Sequence, residues 1–344
     1  MKLIDASYEI IEQEPGLLGV YKQIEKAART AYKSEDKIAE GSAQRMVEAL
    51  CKSSNGACLE HGAIYLKCDD MGPDEYGRVN CMFPLKGAYS SNPYSKVVYD
   101  YWEQTPDSIQ KEFCKTIPRT TVYITTNARV IFENGWEDDL QYMCEPTEFH
   151  ERRITVKFTA SIGIVREILR HRKFSFLNES TRYCNYSKGK FNSELTFIIP
   201  QWIYDLQQEQ AEYIDYATCM PKSWLLDMNG EELVHQLTCW DRHASAWVDH
   251  LRSCEEDYIY LTSDNEGYQL KPEEARGILP LDLKSELIVT GFVSDWIHFF
   301  RLRSFIAATG KPHPDIQVLA DHLLSDFENR GYVDFDQVCN LNNM

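Results

Sequence analysis

The residues best equipped for chemistry run from Arg170 to Tyr183: Arg170-His171-Arg172-Lys173-Phe174-Ser175-Phe176-Leu177-Asn178-Glu179-Ser180-Thr181-Arg182-Tyr183. Arg170, Arg172, Lys173, Arg182 and a histidine fall in this short stretch, interleaved with Ser175, Asn178 and Ser180. The whole chain carries a formal charge of −17, so the cluster is not a by-product of composition. Guanidinium grips phosphate through paired hydrogen bonds, and Ser, Asn and His add short-range bonds that fix orientation. The pattern implies a pocket for a small, multiply anionic ligand. The bland alternative is a solvated helix end or a surface ion-pair network, the usual fate of arginine-rich segments.

Positioning such a cluster needs a rigid lead-in. Residues 154–160 alternate apolar and polar, as a half-buried strand does. Gly163 turns the chain into a helix over 164–169 that delivers Arg170. Downstream, residues 186–190 read as a basic turn and 195–200 as a buried strand. Residues 202–262 are helical, with apolar spacing through Leu233, Leu237, Trp240, Trp247, Leu251, Cys254, Tyr258 and Leu261. His235, His243 and His250 along this face read as ordinary helix histidines, since no carboxylate partner stands at metal-site spacing. Upstream, residues 15–33 predict an amphipathic helix whose basic end suits the C-terminal dipole. Residues 41–52 predict a second helix with Ser42 as N-cap. Asp69 to Asp74 read as a loop, Asn92-Pro93 as a helix start, 120–125 as a strand and 127–132 as a short helix. Near the end, 286–291 predict a strand and 294–303 a helix. No Gly/Ser/Pro-rich linker interrupts the chain, so residues 1–344 read as a single catalytic domain with an elaboration at about 68–150.

Composition excludes several classes. A hydrophobic content of 43% supports a buried core. No apolar run is long enough to span a bilayer, and the first residues lack the apolar region of a secretory signal, so a cytoplasmic location is expected. Eleven cysteines without a CxxC pair read as reduced thiols rather than a disulfide or zinc framework. The acidic balance argues against long nucleic acid, yet a local arginine pocket still suits a small nucleotide.

The Arg-His-Arg spacing, continued by Ser180 and Arg182-Tyr183, resembles the signature of flavin-dependent thymidylate synthases, the ThyX family. Residues 272–280, with Glu274-Ala275-Arg276 and Leu279-Pro280, resemble that family's Glu-Ala-Arg-x-x-Leu-Pro. Residues 53–62 are similar to its flavin-contacting Gly-His-x-Thr-Pro-Phe-Glu-His segment: Glu60-His61 match, while Asn55 stands for the first histidine and Ala57 for the threonine. Phe299 to Arg303 resembles its Asn-Leu-Arg triplet, with Arg303 matching and Arg301 replacing Asn. Gln317 falls where the family has an arginine that favours the ionised pyrimidine, and Glu286 falls near a family arginine that binds phosphate.

The resemblance implies an α+β fold, a mixed and mostly antiparallel sheet flanked by helices. It implies reductive methylation of dUMP to dTMP, with methylenetetrahydrofolate as carbon donor and NADPH as reductant through FAD. It further implies a homotetramer with sites shared between subunits. Carried over by position, the FAD contacts are Asn55, Glu60, His61, Arg170, His171, Arg172, Arg301 and Arg303. Those to dUMP are Glu167, Arg170, Asn178, Glu179, Ser180 and Arg182. Arg170, Ser180 and Gln317 stand at catalytic positions; no protein nucleophile and no metal are expected. Asn55 and Gln317 leave open a hydroxymethylating variant, and Glu286 and Gln317 leave open a nucleotide-binding homologue with impaired catalysis.

Overall fold

The computed structural model describes residues 1–53, 56–69, 85–104, 117–188, 194–218, 222–265, 267–307 and 310–339, with the backbone alone at 101–104, 117–120 and 213–218. Asn55 and most of the expected 69–74 loop lie outside the described residues. The strands are β1 (Lys2–Ile4), β2 (Ser7–Ile11), β3 (Ala63–Asp69), β4 (Lys96–Gln104), β5 (Ile117–Asn127), β6 (Arg153–Ser161), β7 (Ser175–Asn178), β8 (Thr196–Ile198) and β9 (Lys284–Phe292). The helices of the first half are α1 (Gly16–Tyr32), α2 (Ser42–Lys52), α3 (Gly56–Leu59), α4 (Ala128–Asn134) and α5 (Ile162–Ile168). Those of the second half are α6 (Gln201–Thr218), α7 (Ser223–Leu226), α8 (Gly230–Thr238), α9 (Arg242–Thr262), α10 (Pro272–Ala275), α11 (Val293–Arg303), α12 (Pro314–Asn329) and α13 (Phe335–Cys339).

The fold is α+β. β2, β6, β9 and β7 form an antiparallel sheet in that order, and β3, β5 and β4 form a second one. β1 and β8 make a parallel pair, Lys2 opposite Thr196. The single mixed sheet expected from the sequence is therefore divided among three. Helices flank them, and no described helix is long and apolar enough to cross a membrane. The described cysteines are all free thiols.

The four-stranded sheet is closed by α11 and α12, whose Trp296, Phe299, Phe300 and Phe327 are fully buried with Phe158 of β6. Each such ring contributes about 1.5–3 kcal/mol on leaving water. Trp296 adds a hydrogen bond from its indole N–H to the Ile154 carbonyl at 3.2 Å. β6 is a central strand covered on both faces, so its polar positions are largely buried as well, unlike the half-buried strand expected. Thr155 satisfies its hydroxyl on Thr290 Oγ1 of β9 at 2.8 Å.

Two local expectations are corrected. Gly41, at φ 70°, is the N-cap of α2, and Ser42 is its first helical residue. The Ser42 hydroxyl turns instead to the buried Glu25 of α1 at 2.8 Å. Asn92-Pro93 opens no helix. The Asn92 side chain accepts from the Tyr94 N–H at 2.9 Å, closing a turn that leads into β4.

Candidate active site

β6 and α5 present the cationic stretch. Ser161 ends β6 and caps α5, accepting from the Ile164 N–H at 3.3 Å. After α5 the chain tightens: His171 N–H donates to the Ile168 carbonyl at 3.0 Å, and Phe174 N–H to that of His171 at 3.2 Å. Phe174 is driven into the core against β9 at Gly291, where a Cβ would lie 2.2 Å from its ring. Only glycine lets the ring sit there, and the seated ring anchors Arg170, Arg172 and Lys173 at the surface with His171 buried between them.

These residues line a cleft of about 310 Å³ together with Asp295, His298, Leu302 and Arg303 of α11. Arg303 is its hub. Nε donates to Nε2 of His171 at 3.2 Å, and Nη1 pairs with the Glu167 carboxylate at 2.6 Å. A nitrogen that accepts from guanidinium cannot carry a proton, so the His171 imidazole is neutral with its proton on Nδ1. Burial holds its pKa down at about 4, with the charges of Arg303, His298 and Arg170 acting the same way. Arg170 and Arg172 are exposed and form no ion pair with the described residues. The cleft thus offers unpartnered guanidinium groups beside a neutral imidazole, an arrangement suited to polyanionic ligands.

A second group of the expected residues gathers where the motif crosses the end of α1. Ser180 N–H donates to the Ala31 carbonyl at 3.1 Å. Arg182 reaches Glu273 of α10 at 2.6 Å, joining the two segments that carried the family resemblance. Asn178 accepts from the Ser285 hydroxyl at 2.9 Å. Glu179 is buried, and its carboxylate accepts from Tyr186 at 3.0 Å and from Lys284 at 2.9 Å. Lys33 closes a ring by contacting Glu286 and, at 3.5 Å, Glu179. Lys284 also holds Glu286 at 3.1 Å. Burial pushes the Glu286 carboxyl up, but Lys284 and Lys33 outweigh it and bring the pKa down to about 2. The Glu179 carboxylate is therefore already engaged within the chain.

The remaining expected residues lie elsewhere. Glu60 pairs with Arg129 at 2.5 Å. His61 is fully buried, with Nδ1 on Thr290 Oγ1 at 2.8 Å, and burial followed by the Arg153 charge takes its pKa down to about 3. Arg301 faces α13, donating to the carbonyls of Val338 at 2.8 Å and Gln337 at 2.6 Å. Gln317 sits on α12 with Nε2 3.4 Å from Asp321, and it does not line the cleft.

Sequence reasoning missed Lys33, Lys284 and Glu273 as partners of the motif, and His298, Asp295 and Leu302 as cleft walls. Lys33 had one local sign, its place at the basic end of the helix expected over 15–33, which it terminates with a left-handed φ of 48°. The others become neighbours only through sheet register and helix packing. No described group of His, Cys, Asp and Glu side chains could hold a metal ion.

The chain is similar to known proteins, over its second half above all. The profile of the family described as thymidylate synthase complementing protein matches residues 139–330, more than half of the chain. The matched segment contains the cleft and the Arg182–Glu273 pair, but not Glu60 or His61. The flavin-dependent thymidylate synthase of Synechocystis sp. is 26% identical over 168 residues, covering 48% of this chain and 63% of that protein. The chain therefore spans less than two thirds of the curated relative's length. Among solved structures, the UMP/dUMP methylase PolB from Streptomyces cacaoi with 5-Br UMP is 16% identical, covering 96% of this chain and 92% of that one at a TM-score of 0.38. Thymidylate synthase X from Helicobacter pylori, with FAD and dUMP, is 13% identical over 97% of this chain and 99% of its own, at a TM-score of 0.35. By its match across more than half its length, the chain belongs to the thymidylate synthase complementing proteins, the ThyX family.

Proposed function

We propose that the protein is a flavin-dependent thymidylate synthase, converting dUMP to dTMP with methylenetetrahydrofolate as carbon donor and NADPH as reductant. The observation that carries the reading is the cleft: Arg170 and Arg172, exposed and without an ion pair among the described residues, beside a neutral His171 fixed by Arg303. This donor set fits FAD, whose diphosphate needs cations and whose ring needs hydrogen-bond donors that do not titrate near neutrality. Arg170, His171, Arg172 and Arg303 would hold it. When bound, flavin supplies the hydride that reduces the transferred carbon.

The chain's own residues bind and orient. Arg182 and Ser180 suit the nucleotide phosphate, with Asn178 and Glu167 as hydrogen-bonding partners. Glu179 holds the segment in place through Lys284 and Tyr186. Arg170 is suited to stabilising negative charge that develops on the pyrimidine, with Ser180 as a hydrogen-bond donor. Gln317 offers an amide where the family's activating arginine is expected; an amide can bond a uracil edge but cannot neutralise its anion. Glu60 and Arg301 stand away from the cleft and would meet FAD only across a subunit boundary, while His61 is fully buried and would support its segment rather than touch the ligand.

A cleft of about 310 Å³ is at the small end of the range of about 300–1,000 Å³ typical of ligand pockets. In the homotetramer with shared sites that the family resemblance implies, walls from other copies would complete it. The acidic surface and the absence of a membrane-crossing helix among the described residues fit a cytoplasmic enzyme acting on small molecules rather than on long nucleic acid.

Gln317 and Asn55 motivate a second reading, a dUMP hydroxymethylase. Supplying dUMP, methylenetetrahydrofolate and NADPH and identifying the product by mass spectrometry tests both. A methylated product supports the synthase and a hydroxymethylated one the alternative. A protein that consumes neither dUMP nor NADPH would overturn both.

A further inference from the structure

Away from the cleft, a cavity of about 160 Å³ opens at the N-terminal end of α1, walled by residues 10–16, 143–146 and 152–155. Arg153 lines it and is only 8% exposed. Its Nη2 reaches the Glu60 carbonyl at 3.2 Å and Ser175 Oγ at 3.3 Å, while its Nε has no hydrogen-bond partner. No described carboxylate ion-pairs with it; the carboxylate of Glu60 is committed to Arg129. Its guanidinium also stacks on the Phe292 ring at 4.9 Å, which offsets part of the cost of burying a cation but neutralises none of its charge.

Other donors converge on the same space. Tyr65, also buried, accepts from the Arg153 N–H at 3.1 Å, which leaves its own O–H to donate. Arg152 lines the cavity, is exposed, and has no ion pair among the described residues. α1 begins at Gly16 with no side-chain cap and no acidic residue in its first turn, so no side chain among the described residues satisfies its first N–H groups. Of the acidic residues at the mouth, Glu12 is held by Arg330 and Tyr332, Glu14 by Lys22, and Glu145 is exposed.

We propose that this cavity binds a small oxyanion, a phosphate or carboxylate group, held by Arg153, Arg152, Tyr65 and the first turn of α1. The volume admits a free ion or the anionic tail of a larger molecule.

Calorimetry and thermal melting of the full-length protein with inorganic phosphate, and separately with glutarate, at constant ionic strength, provide the test. Saturable binding with a rise in Tm is expected, and the tighter of the two anions identifies the source chemistry. Tyr65→Phe and Arg152→Gln should each weaken binding about tenfold, the loss of one charge-assisted or neutral hydrogen bond. Arg152 is exposed, so its replacement leaves folding intact even where a buried change does not. Arg170→Ala/Arg172→Ala removes anion binding by the cleft, and the binding that remains in that background, weakened by Tyr65→Phe and Arg152→Gln, belongs to the cavity. Absence of saturable binding by both anions overturns the proposal. So does binding that survives Tyr65→Phe and Arg152→Gln but is lost with the cleft variants.

Discussion

Arg303 Nε stands 3.2 Å from Nε2 of His171, at the junction of α11 with the cationic stretch. The contact keeps the imidazole neutral and orients its remaining N–H. Two segments 132 positions apart thereby define one electrostatic surface.

The first consequence is pH dependence. Burial and neighbouring cations hold His171 at about 4, against an ordinary value near 6.5. Between those values the unfolded chain binds a proton that the folded chain refuses, so stability is full above pH 6.5 and falls as the pH drops toward 4. His61, at about 3, acts in the same direction. Each costs up to about 1.4 kcal/mol per pH unit within its window. Urea unfolding at pH 7 and pH 5 should show a loss of a few kcal/mol, reduced in His171→Gln. An equal loss in the variant would contradict the assignment.

Replacing Arg303 with Gln removes the hub of the cleft. The Glu167 carboxylate loses its partner, and the His171 pKa should rise. Flavin affinity is expected to fall by about 2–3 kcal/mol, the scale of a charge-assisted contact. Arg301→Gln, which releases carbonyls of α13, should lower Tm and cost flavin less affinity than Arg303→Gln does. Equal effects of the two on flavin would refute the distinction.

Arg182 is exposed and tied to Glu273 at 2.6 Å. Arg182→Ala should weaken dUMP binding and flatten its salt dependence through a lost phosphate contact. Glu273→Gln relieves competition for the same guanidinium and should tighten dUMP binding severalfold. Calorimetric titration of both variants checks the pair; unchanged dUMP affinity in Arg182→Ala would count against the proposed nucleotide position.

The ring of Lys33, Glu179, Lys284 and Glu286 is a buried network in which each charge relies on its neighbours. Lys33→Met should destabilise the fold by about 3–5 kcal/mol, because it leaves carboxylates uncompensated. Adding Glu286→Gln should recover part of that loss. Denaturant unfolding of the two variants measures it; additive losses would show the residues to be uncoupled.

The sequence made the strand, helix and motif unit at 154–183 readable because its signals are local: alternation in β6, Gly163 at the turn, and charge after α5. The same holds for α1, β9 and α11. Burial of β6 on both faces was not readable, since its threonines look solvent-facing until β9 supplies the partner hydroxyl of Thr290. Nor was the division into three sheets, which depends on long-range pairing such as β1 with β8. In the site, Arg170 to Arg172 and Arg303 announced themselves by residue type. Glu273 on Arg182, and Lys33 and Lys284 on Glu179, did not, because a surface-type Lys or Glu gives no sign of the fold bringing it to an opposite charge. Arg301 looked equivalent to Arg303, yet two positions along a helix turn a side chain to a different face.

The account rests on the cleft holding a flavin through its arginines. Titrating flavin-free protein with FAD and following absorbance, for the wild type and for Arg170→Ala/Arg172→Ala, tests this most directly. The wild type should bind FAD, with affinity reduced about a hundredfold or more in the double variant, as expected for two charge-assisted contacts. A wild-type protein that takes up no FAD, or a double variant that binds it equally well, would contradict the account.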